Sequence, residues 1–209
     1  MTQPIDTRLQ ALLQSEPALW RGQQRHADHR AFQSTGYRAL DAVLPGQGWP
    51  VAGVVEVVTR TDQAPPLRPF VPLMARCTQA GQTVLLVDPP PALVPFAPAW
   101  QQAGVALSTL FTVQAQTHKQ AWWVMETALR ATACALVLLW PCARGGRLGV
   151  ATVRRWQVAA AAGSTLGVLF VPESMQGQAS NVHLRLRMQG QQLTVLKARG
   201  MHDCPQVSL

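Results

Sequence analysis

A chain of 209 residues with 48% hydrophobic content is long enough for one domain with a sizeable core and too apolar for general disorder. Residues 1–6 lack the basic and then apolar pattern of a signal peptide. The longest apolar run, Ala133 to Trp140, is far shorter than the ~20 residues that cross a bilayer, so a cytoplasmic protein without membrane association is expected. The formal net charge is +8, and its basic residues are scattered, a balance compatible with either nucleic acid or an acidic partner surface.

In chain order, Ile5, Leu9, Leu12 and Leu13 fall on one face at helical spacing, and Pro17 ends or kinks that helix. The stripe suits docking on the chain's own domain or on a neighbouring subunit, and it is a candidate protein interface. Residues 21–33 are polar and basic, so residues 1–33 read as a leading helix and a connector.

Residues 34–58 organise the rest. A polar start at Ser34-Thr35-Gly36 leads to a short helical turn carrying Leu40 and Val43. The Gly/Pro-rich run 45–53 follows, and Val54 to Val58 reads as a strand buried on both faces. In an α/β protein the loop after such a strand is where a nucleotide phosphate sits, against the next helix N-terminus. A phosphate loop needs glycines to wrap the phosphates, a lysine to reach them and a hydroxyl for the metal. Here Thr59 and Ala64 replace the glycines, Pro65 the lysine and Pro66 the hydroxyl, while Asp62 adds a negative charge. Two prolines also remove two N–H donors, leaving a phosphate loop in position only.

The Ser-Thr-Gly, Ala-Leu-Asp and Gly-Val-Val-Glu segments, in this order and spacing, resemble the entry to the ATPase core of RecA recombinases. With Leu44-Pro-Gly-Gln-Gly-Trp-Pro50, the pattern is similar to the ImuA family, RecA-related accessory proteins of a mutagenesis cassette. The similarity runs from about residue 5 to about residue 200. It implies an SOS-induced role in translesion DNA synthesis. The implied partners are an ImuB-like Y-family polymerase homologue and an error-prone replicative-type polymerase subunit, with self-association or RecA contact also open.

Beyond the loop, a helix is expected over 68–79, with Phe70, Val71, Met74 and Cys77 on its face, followed by a strand over 84–87 that ends in Asp88. RecA-like ATPases place a catalytic glutamate two residues after the matching aspartate; this chain has Pro90. Asp88 is then expected to be a strand-end residue bonded to a nearby backbone N–H. A helix over 95–103 turns Phe96 and Trp100 inward, and 110–113 is a strand. A helix from Thr117 or His118 to Ala131 holds Trp122, Met125 and Leu129 inside and leaves Trp123 at its margin. The strand 135–139 would end, in an ATPase, in a metal-holding aspartate; Trp140 stands there, and an indole is no ligand for a hard cation. No catalytic residue, cofactor or ATP hydrolysis is therefore expected.

Arg144 and Arg147 on a basic loop, with Arg154 and Arg155 on the helix expected over 148–162, form a candidate DNA or partner contact. The two loops that hold DNA in RecA are short here, which leaves a solvated arginine cluster as the equal alternative. A strand over 166–170 is followed by a hairpin, with Val182 to Met188 alternating and Leu193 to Leu196 as its second strand. The hairpin is expected to finish the sheet, and residues 198–209 to form a tail. The four cysteines, Cys77, Cys134, Cys142 and Cys204, make no Cys-x-x-Cys pair and are expected to be buried free thiols. His26 with His29, or His202 with Cys204, would each give half a zinc site, so no metal is expected.

The expected fold is a RecA-like α/β domain over 34–197, with a mostly parallel central sheet, helices on both faces and an antiparallel edge hairpin. The expected function is that of a non-catalytic accessory protein acting through protein contacts. The alternative is a SulA-like inhibitor of cell division that binds the division GTPase, since SulA also resembles a reduced RecA core.

Overall fold

The computed structural model describes residues 31–60, 67–90, 97–140, 148–175, 181–198, 201 and 203–209. The strands are β1 (Phe32–Gln33), β2 (Trp49–Pro50), β3 (Gly53–Thr59), β4 (Thr83–Val87), β5 (Leu110–Val113), β6 (Cys134–Leu139), β7 (Leu166–Pro172), β8 (Leu184–Gln189), β9 (Gln192–Ala198) and β10 (Gln206–Ser208). The helices are α1 (Arg38–Val43), α2 (Val71–Gln79), α3 (Ala97–Gln102), α4 (His118–Arg130) and α5 (Val150–Gly163).

Eight strands form one sheet in the order β10-β9-β8-β3-β7-β6-β4-β5. From β8 through to β5 all neighbours run parallel, and β9 is antiparallel to both β8 and β10. This is the expected RecA-like α/β arrangement. Strand β3 lies in the interior, paired with β7 over its whole length and with β8 from Val55 to Val58. Its continuous apolar run follows from burial on both sides.

Alternation along the strands divides the core in two. Val55, Val57, Leu86, Leu138 and Val168 face Leu40 of α1 and Leu73, Met74 and Cys77 of α2. Val54, Val58, Val137, Leu139 and Leu169 face Met125 and Leu129 of α4 and Val153 and Trp156 of α5. The start of α4 is fixed by a capping box. The Thr117 hydroxyl accepts from the Gln120 N–H, and the Gln120 amide oxygen accepts from the Thr117 N–H, each at 3.2 Å. Helix α5 ends against α4, where Gly163 comes so close that a Cβ there would lie 2.2 Å from the Leu129 carbonyl oxygen.

Several expectations need correction. The fully buried positions of α4 are Ala121, Met125 and Leu129, and Trp122 is half-buried, packed against the edge of that core. The hairpin β8–β9 does not finish the sheet, because Gln206–Ser208, within the expected tail, pairs with β9 as the edge strand. Phe32 and Gln33 at the end of the expected connector pair with Pro50 and Trp49 in a separate two-stranded ribbon. Helix α3 is described from Ala97 and its Trp100 is half-buried; Phe96 lies outside the described residues.

Candidate functional site

The Ser-Thr-Gly and Ala-Leu-Asp segments form one clasp. Asp41 accepts from the Ser34 hydroxyl at 2.6 Å and from the Thr35 N–H at 2.7 Å, while Arg76 of α2 donates to the Ser34 carbonyl. Burial alone would raise the Asp41 pKa. The Ser34 and Thr35 hydrogen bonds and the Arg76 charge outweigh it and hold the carboxyl below its ordinary value. Gly36 has φ +88°, and a Cβ there would lie 2.5 Å from the Pro72 side chain, so the third position of the motif excludes larger residues. The spacing of these residues is thus explained by a joint between the entry loop, α1 and α2.

At the C-terminal ends of β6 and β7 the same half of the core is filled with aromatic rings. Trp140 follows β6 and stacks on Phe170 of β7, with centroids 4.6 Å apart and planes within 6°. Phe70, just ahead of α2, meets Phe170 edge-on at 6.0 Å and stacks on Trp49 of β2 at 4.8 Å. All four are buried. The Leu-Pro-Gly-x-Gly-Trp-Pro segment is therefore what carries Trp49 into the core. Thr59 is buried at the end of β3, level with Pro172, whereas Ala64, Pro65 and Pro66 lie outside the described residues.

The start of α2 has little left to offer an anion. Pro69 and Pro72 have no N–H, and the N–H groups of Phe70 and Val71 both donate to the Leu67 carbonyl. Asp88, at the end of β4, has φ +51° and is buried. Its carboxylate accepts from the Ala115 N–H at 2.6 Å, and its own N–H donates to Val113. This is the strand-end role expected of it.

One feature escaped the sequence reading. Glu56, the polar residue of the β3 run, is buried level with Arg185 of β8, and the two form an ion pair at 3.0 Å. Alternation along Val182 to Met188 puts Arg185 on the face opposite Leu184 and Leu186, but nothing local in the sequence joins it to Glu56. Of the expected basic cluster, Arg154 and Arg155 are both exposed on α5. Arg155 is tied to Glu126 of α4 at 3.2 Å, and Glu126 also reaches Arg130 at 3.4 Å. Arg144 and Arg147, like Ile5, Leu9, Leu12 and Leu13, lie outside the described residues. Cys77 and Cys134 are buried free thiols, and burial pushes Cys134 up to about 11; Cys204 is exposed, correcting its expected burial. No helix among the described residues is long and apolar enough to cross a membrane.

Neither a protein-family model nor a curated protein matches this chain. Among solved structures it is similar to the crystal structure of SulA from Pseudomonas aeruginosa, at 18% identity and a TM-score of 0.44. The match covers 56% of this chain and 97% of that one. Likeness at this level identifies no family.

Proposed function

We propose that this chain is a non-catalytic accessory protein, a RecA-like core whose nucleotide end has become part of its hydrophobic interior. The observation that supports this reading is the ring stack of Trp140, Phe170, Phe70 and Trp49. A bound triphosphate needs polar, donor-rich space at the strand ends, and here that space holds apolar rings. The Asp88 carboxylate is committed to a backbone N–H. The catalytic assignment is tested by titration calorimetry of the whole chain with Mg-ATP, for which no binding heat is expected. Magnesium-dependent binding at micromolar affinity would overturn it.

The finer reading rests on the ImuA-like motifs. In it, the chain scaffolds or regulates an ImuB-like homologue and an error-prone polymerase during SOS-induced translesion synthesis. The stripe Ile5, Leu9, Leu12 and Leu13 serves as one docking element. Deleting the reading frame is expected to lower damage-induced mutation without affecting unstressed growth. If overexpression instead causes filamentation without DNA damage, the division-inhibitor alternative replaces it.

A further inference from the structure

The outer face of α4 and α5 lies away from the filled nucleotide end, and its composition is unusual for a solvated surface. The exposed positions of α5 are Val150, Ala151, Arg154, Arg155, Val158, Ala161 and Ala162. All fall on one side of the helix, and apart from the two arginines none is polar. A surface helix ordinarily turns its polar residues outward. Here the ridge at i, i+4 and i+8 is Val150, Arg154, Val158, with Val158 65% exposed. On α4 the exposed ridge is Lys119, Trp123, Thr127 and Arg130, and Trp123 is 67% exposed. Of the four exposed large apolar side chains among the described residues, only Phe111 lies elsewhere, so the exposed apolar surface is concentrated on this face.

The two ridges are joined by charge. Glu126 lies one turn beyond Trp123 on α4 and bridges to Arg130 and to Arg155, which itself lies one turn before Val158. Glu126 is the single carboxylate on α4 and α5, against Lys119, Arg130, Arg154 and Arg155. It is already engaged by two of these cations, so the face has positive charge to spare.

From this we propose that the α4–α5 face is a docking surface for an acidic amphipathic helix of a partner protein. The aliphatic stripe of the partner would lie along Trp123, Val150, Val158 and the alanines, and its carboxylates would meet Arg130, Arg154 and Arg155. Charge decides among the occupants. A second copy docked by the same face would set arginine against arginine with no free carboxylate to receive it. A nucleic acid would satisfy the arginines but leave Val150, Val158, Ala161 and Ala162 facing phosphates and water. An acidic helix satisfies both halves, and the small alanines let its backbone approach closely. The inference goes beyond the accessory-protein reading and stands on this face alone.

The test uses the full chain and a fluorescent synthetic helix of about 20 residues, leucine along one stripe and glutamate elsewhere. A counterpart with lysine for glutamate and an oligothymidylate of about 20 nucleotides are run alongside it. Anisotropy is expected to show binding of the acidic helix, weakened by salt, with the lysine helix at least about tenfold weaker. Arg154→Glu with Arg155→Glu should lower the acidic helix's affinity about tenfold or more, and Trp123→Ala or Val158→Asp by several-fold. Melting temperatures should stay near the parent value, because all four side chains are exposed. Equal binding of the two helices, or affinity unchanged by every variant, would overturn the proposal. So would oligothymidylate binding that the same variants abolish while the acidic helix fails to bind. Unfolding of Val158→Asp would likewise overturn it, because the fold itself and not a partner would then need the apolar side chain at this exposed position.

Discussion

Glu56 and Val57 are adjacent on β3, look to opposite faces of the sheet and meet opposite solutions to the same problem. Val57 lies level with Phe170, in the half of the core where Phe170 stacks on Trp140 and meets Phe70 edge-on. Glu56 lies level with Arg185, on the half where a charge is buried and held by its opposite. Ring stacking is cumulative, each pair contributing about 0.5–1.5 kcal/mol beyond its burial. A buried ion pair is all or nothing: either partner alone leaves an uncompensated charge in a medium that cannot solvate it. The ends of β6 and β7 beside Trp140 and Phe170 are filled in the first way, while the centre of the sheet keeps a specific polar joint.

The largest effect should therefore come from breaking the joint on one side only. Glu56→Ala removes the carboxylate that meets buried Arg185 at 3.0 Å and is expected to cost about 3–5 kcal/mol, read from the urea unfolding midpoint. Glu56→Leu combined with Arg185→Leu should recover most of that loss, because both charges are then gone. A single substitution costing under about 1 kcal/mol would mean that the pair is solvated, and the contrast between the two halves would collapse.

On the aromatic side, Trp140→Ala should cost about 3 kcal/mol and Trp140→Phe much less, since a phenyl ring can keep the stack on Phe170. The graded pair of results is what separates packing from a specific contact. If Trp140→Phe proved as costly as Trp140→Ala, the ring would matter for something other than stacking. Trp140→Asp, which places a carboxylate at the end of β6, is expected to destabilise the fold without conferring ATP binding.

Much of this was legible in the sequence because the signals are local. The Val54 to Val58 run, the helical spacing of Met125 and Leu129, and the helix start at Thr117 or His118 each specify an element within a few residues. The absence of a phosphate-loop lysine and hydroxyl and of a strand-end aspartate can be read from Pro65, Pro66 and Trp140 alone, but the reason for Trp140 cannot. Its partner Phe170 comes from another strand, and Trp49 and Phe70 join only when the sheet is assembled. The same holds for Glu56 and Arg185, whose pairing needs the β3–β8 register. β10 and the ribbon β1–β2 were missed because strands of three and two residues carry no periodicity; they exist only through their partners.

The smallest predicted effect lies in the entry clasp, on the aromatic side of the sheet, and it shows how little that half depends on charge. Asp41 accepts from the Ser34 hydroxyl and the Thr35 N–H, and despite its burial these bonds and Arg76 hold its pKa below the ordinary 3.8. A carboxyl whose folded value is depressed binds a proton less readily folded than unfolded. Its contribution to stability is therefore complete above 3.8 and fades as pH falls through the lower folded value. Urea midpoints of the parent and of Asp41→Asn should differ modestly near neutral pH, with the parent the more stable, and converge on the acid side of 3.8. The effect should stay well below that of Glu56→Ala, because the clasp is partly open to water and its backbone geometry is also fixed by Gly36 against Pro72. A gap between the two proteins that persists unchanged into acid would mean that the carboxylate's charge contributes nothing. Asp41 would then act by shape and hydrogen bonding alone, like the rings beside it.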